Sequence, residues 1–81
     1  MTRTHALKCY PEYFMLVRYR RKNFEIRQND RGFMIGDTII LKEWLPDRKE
    51  YTGKELSREI VDMFEMNIIA DNTVALILEA K

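Results

Sequence analysis

The chain of 81 residues is short of most features that announce a chemistry: it has one cysteine, one histidine, one tryptophan, two prolines and three glycines. With Cys9 alone, no internal disulfide can form, and a single thiol fits a reducing compartment. His5 and Cys9 invite a metal reading, but two donors without a second pair make a poor zinc site, so neither a metal nor another cofactor is expected. No Gly-rich phosphate loop and no Ser/His/Asp arrangement of known spacing is present. No early apolar run resembles a signal peptide, and no apolar span reaches the roughly 18 residues needed to cross a bilayer; the expectation is a cytoplasmic protein with no membrane partner. Formal net charge is only +1, so a nucleic-acid partner must be held by clustered charge, not by the total. No repeat, low-complexity tract or linker divides residues 1–81, which are expected to form one domain. A domain of this size buries only about 60–65% of its unfolded surface, enough for one core.

What the chain does have is a concentration of charge. Six of its fourteen Lys and Arg residues lie between Arg18 and Arg31. Within that stretch Phe24 and Ile26 alternate with Asn23, Glu25 and Arg27, the pattern of a strand with one apolar and one ionic face. The ionic face suits a groove better than a core. The polar run Gln28–Gly32 then reads as a turn.

Around this stretch the elements follow from local pattern. His5–Tyr10 reads as a short strand with Leu7 and Cys9 on one face, Cys9 as a small core side chain, and His5 on the same parity, aimed at a neighbouring cleft. Pro11 at a first helical position, Glu12 behind it, and Tyr13, Leu16 and Val17 at helical spacing predict a helix over Pro11–Tyr19. Its far end carries Arg18, Arg20, Arg21 and Lys22, which a helix C-terminus accommodates as solvated cations. Thr38–Trp44 is predicted as the longest strand, with Ile39 and Leu41 on one face. Pro46–Glu50 is a hairpin connection, and Tyr51-Thr52-Gly53 a return with its own turn. Lys54–Met66 is ambiguous: Leu56, Ile60, Met63 and Phe64 fit a helix, while Leu56, Ile60 and Phe64 also share a strand parity. Asp71-Asn72 marks a turn before a closing strand at Thr73–Glu79.

His5-x-Leu7-Lys8, Lys22-x-Phe24-Glu25-Ile26-Arg27-x-Asn29-Asp30-Arg31, Gly36-Asp37 and Tyr51-Thr52-Gly53 together resemble a family of small, uncharacterised bacterial and phage proteins related to ASCH domains, within the PUA-like superfamily. The resemblance covers nearly the whole chain. It implies an α+β, mainly β fold: a small mixed β-barrel with a short helix at its mouth, and a cleft lined by the Lys-x-x-Glu-x-Arg residues. It also implies that Lys54–Met63 is extended. The chain departs from the pattern at Arg20, where relatives usually have Gly, and at Asn23, where Thr is common.

The leading expectation is a binding module for RNA or a nucleotide-like ligand, with His5, Arg20, Arg21, Lys22, Glu25, Arg27, Asn29 and Arg31 as the candidate site. In it, Glu25 accepts from a base edge or orients Lys22, and Arg27 or Arg31 contacts phosphate or stacks. Tyr13, Tyr19, Phe33 and Trp44 are candidate stacking surfaces. Two alternatives stand beside it. One is an ASCH-type amidohydrolase acting on an acylated pyrimidine nucleoside, with Lys22 as base and Glu25 beside it; the resemblance places Glu25 where that hydrolase has Thr. The other is a protein-interaction adaptor using an exposed edge strand. A monomer or weak homodimer is expected.

Overall fold

The computed structural model describes residues 2–80. β1 (Thr4–Cys9) alternates strictly, with His5, Leu7 and Cys9 turned inward. α1 (Pro11–Arg18) starts at Pro11, whose missing N–H lies where a helix leaves donors unpaired in any case. The apolar stripe of α1 is Phe14 and Val17, whereas Tyr13 and Leu16 stay exposed. That corrects the predicted stripe by one position: a helix of two turns has room for only two core contacts, and Phe14 takes the one assigned to Tyr13.

The helix ends in a Schellman cap. Arg21 N–H donates to Leu16 O at 2.8 Å and Arg20 N–H to Val17 O at 3.1 Å. The left-handed residue this cap requires is Arg20, at φ 60. The same reversal brings Lys22 N–H to within 3.1 Å of Leu16 O and leads straight into β2 (Phe24–Gln28).

β3 (Thr38–Leu45), β4 (Glu50–Glu65) and β5 (Thr73–Ala80) complete one five-stranded sheet in the order β1-β3-β4-β5-β2. β1 runs parallel to β3, and every other neighbouring pair is antiparallel. β4, at 16 residues, is the longest strand; the prediction for Thr38–Trp44 is corrected there. The ambiguous segment is therefore extended, as the resemblance implies. Tyr51-Thr52-Gly53 is no turn. It lies inside β4 opposite the register shift between Lys42 and Trp44, and Gly53 supplies the φ of +94 that the bulge demands. A second shift lies opposite β5 between Ile60 and Asp62. Two irregularities in one long strand curl the sheet into a half-barrel around Leu7, Phe14, Val17, Ile39, Leu41, Ile60, Leu76 and Leu78.

β2 reverses the expected facing. Glu25 is paired across the ladder with Leu76, which is fully buried, and Phe24 with Ile77, which is not. Directly paired residues share a face of the sheet. The ionic side of β2 thus points into the half-barrel, and Phe24 and Ile26 remain 40% and 45% exposed.

Candidate functional site

β1 and β2 are the two edges of the sheet. Edge strands carry backbone groups with no ladder partner. Here the curl brings the edges close, and side chains replace the missing ladder: Arg27 Nη2 donates to Lys8 O and Arg31 Nη1 to Ala6 O, both at 2.7 Å. Two guanidinium groups from β2 and the turn after it thus bridge the gap to β1.

Beside this seam lies a cleft of about 840 Å3. Its wall includes Arg21, Lys22, Glu25, Arg27 and Arg31, with Tyr13, Leu16 and Phe24 as apolar surface. Glu25 stands at the centre. Lys22 Nζ is 3.2 Å from its Oε1, and Arg27 Nε is 3.2 Å from its Oε2. The Glu25 side chain is 7% exposed, against 18% for Lys22 and 30% for Arg27, so a buried carboxylate is clamped by two cations that reach water. Lys22 also lies 4.9 Å from the ring centre of Tyr13 and 5.4 Å from that of Phe24. Two aromatic faces and one carboxylate fix the ammonium group in place.

A second hollow, about 390 Å3, shares Tyr13, Lys22, Glu25 and Arg27 with the cleft and adds Lys8, Cys9, Tyr10 and Trp44. Burial pushes the Cys9 thiol up to about 11, the Glu25 and Glu43 charges adding to it against Lys22 and Arg27. A protonated thiol at neutral pH is a poor nucleophile. Glu43, also buried, accepts from Thr52 Oγ1 at 2.8 Å.

The structure brings Arg21, Lys22, Glu25, Arg27 and Arg31 together and leaves three candidates apart. His5 does not reach the cleft: it is buried, its Nε2 lies 2.8 Å from Asp37 Oδ2, and its ring meets Phe33 edge-on. It shares the inward parity of Leu7, and inward at that end of β1 is core. Arg20 lines neither the cleft nor the second hollow but a third one, with Asn23 and Arg58, which meets the cleft only at Lys22. Asn29 is occupied in its own turn, its Oδ1 accepting from Phe33 N–H at 2.7 Å. Of the aromatic candidates, Phe33 is buried in the core and Tyr19 lies outside both hollows.

Asp37 was not among the candidates, yet it anchors the loop before β3. It accepts from Arg3 N–H at 3.0 Å, from Met34 N–H at 3.1 Å and from His5. Burial alone raises its pKa, but the hydrogen bonds from His5, Arg3 and Met34 and the His5 charge outweigh that and hold the carboxyl below its usual range. The Gly36-Asp37 pair was the available signal, since a carboxylate straight after a turn glycine commonly bonds local backbone. Arg3 completes the clasp by donating to the carbonyls of Arg31 and Gly32. Among the described residues, no group of three or more His, Cys, Asp and Glu is placed to hold a metal ion, and no helix is long and apolar enough to cross a membrane.

The arrangement defines a class: a mainly β protein with one short helix, whose curled sheet carries a cation-lined cleft along its open seam. The particular family follows from comparison. The family described as domain of unknown function DUF3850 matches residues 4–78, and the chain belongs to it. The chain is 34% identical over 67 residues to an "Uncharacterized 12.9 kDa protein in GpA 3'region" of Escherichia phage P2; the match covers 83% of this chain but 60% of the phage protein.

Proposed function

We propose that the chain is a binding module for RNA or a nucleotide-like ligand, held in the cleft between α1 and β2. The observation that carries this reading is the composition of the cleft. Four cations, Arg21, Lys22, Arg27 and Arg31, stand against two carboxylates, Glu25 and Asp30, beside the exposed rings of Tyr13 and Phe24. The cleft thus holds a net of two positive charges in a chain whose total is +1. Cations draw phosphate, and aromatic faces stack on bases of any sequence. The resemblance to ASCH and PUA-like domains supports the same reading, because such domains often bind RNA in a groove of this kind.

Glu25 orients Lys22 and Arg27 in this scheme. Lys22 has three N–H donors and uses one on Glu25, so it can still meet a phosphate. The engagement of Lys22 by a carboxylate, where the acylcytidine hydrolases have Thr, favours binding over catalysis. The test is an NMR titration with short RNAs and with a nucleoside panel that includes acylated cytidine. Shifts converging on Lys22, Glu25 and Arg27, weakening as salt rises and lost in Lys22→Ala with the fold intact, are expected. Salt-insensitive or absent binding refutes the proposal, and deacylated product in the tube replaces it with catalysis.

A further inference from the structure

The binding reading leaves the second hollow unused, although its wall is continuous with the cleft. Tyr13, Lys22, Glu25 and Arg27 border both. Both volumes, about 840 and 390 Å3, fall within the roughly 300–1,000 Å3 of small-ligand sites. The hollow has its own aromatic surface in Tyr10, which is 47% exposed, and Trp44. The Lys8 ammonium lies 4.0 Å from the centre of the Trp44 ring, and Tyr51 meets that indole edge-on at 4.8 Å, which fixes its orientation. Lys8 also raises the net charge of the joined hollows to three positive.

We infer that cleft and hollow together hold a dinucleotide step of single-stranded RNA, one base in each, with the connecting phosphate over Lys22 and Arg27. This rests on the nucleotide-binding reading of the cleft. The shared wall is where a linking phosphodiester falls when bases occupy both sides. It also carries the required donors: Arg27 has five N–H groups and uses one on Glu25 and one on Lys8 O. Tyr13, bordering both hollows, lies between the two bases.

Trp44 is the sole tryptophan and lies in the second hollow alone, so its emission reports that hollow specifically. Binding of UMP and AMP is compared with that of UpU and ApA, following Trp44 fluorescence and the amide shifts of Lys22 and Glu25 together. The dinucleotides are expected to bind at least roughly five-fold more tightly than the mononucleotides, the least that one added stacked base supplies, and to quench Trp44. Trp44→Leu, and Tyr10→Ala as a surface variant that disturbs no core contact, each narrow the gap between the two probes. Equal affinities, with Lys22 and Glu25 shifting and Trp44 silent, overturn the inference and leave a one-nucleotide cleft standing. No response to any probe overturns both.

Discussion

Replacing Glu25 by Gln removes the charge that two cations share while keeping the shape of the side chain. Removing one partner of a fully buried ion pair costs about 3–5 kcal/mol, because the other charge is left uncompensated. Lys22 and Arg27 are 18% and 30% exposed, so water takes over part of that role, and Gln retains one oxygen able to accept from one of them. The loss expected is about 2 kcal/mol, near the value of a single hydrogen bond to a charged group. For a domain of this length, that lowers the melting temperature by about 8–16 °C. Urea unfolding should show a lower midpoint at unchanged slope, since the surface exposed on unfolding stays the same. Combining Glu25→Gln with Lys22→Met should cost less than the two changes made separately, because each alone strands a charge the other no longer needs. A Glu25→Gln protein within about 0.5 kcal/mol of the parent, or strictly additive losses, would refute the clamp.

Other perturbations test other parts of the structure. Arg20→Gly should stabilise the fold by about 0.5–1 kcal/mol, because an L residue at φ 60 costs about 1–2 kcal/mol, which the unfolded freedom of glycine only partly offsets; a lower melting temperature would contradict the cap assignment. Asp37 contributes stability that is fully present above its unfolded pKa, about 4, and is lost as pH falls through its depressed folded value. Asp37→Asn should therefore flatten the acid limb of stability below about pH 4 as well as lowering stability at neutral pH, which acid titration of the melting temperature will show. Cys9, with its pKa raised to about 11, should resist iodoacetamide at pH 8 in the folded protein and react at an ordinary rate in urea; fast labelling without denaturant would contradict its burial.

Much of the sheet is written into local pattern. Leu7 and Cys9, Ile39 and Leu41, and the apolar run from Thr73 all alternate as the structure places them. In β4, Leu56, Ile60 and Phe64 satisfy helix and strand periods alike, so periodicity left the segment open; the resemblance implied the extended form, and ladder pairing with β3 and β5 is its physical cause. In the site, Glu25 and Arg27 are legible as a pair because residues two apart on a strand share a face. Which face they share was not, since sequence polarity suggested that Phe24 and Ile26 point inward. The bridges from Arg27 and Arg31 to β1 were equally hidden: they depend on how far the sheet curls, a property of bulges around Gly53 and Ile60 far along the chain. His5 was misplaced for a related reason, its buried partner Asp37 lying thirty-two positions away.

The ladder that supports β2 has a bearing on biosynthesis. Phe24 is matched with Ile77, fifty-three positions later, and β2 has no other ladder partner. A nascent chain therefore carries Lys22, Glu25 and Arg27 out of the ribosome on a segment with no ladder partner until β5 has been translated. Translation that stops short of Thr73 leaves β2 without the strand it pairs with, so the cluster of Lys22, Glu25 and Arg27 can be set against the half-barrel only after β5 has been made.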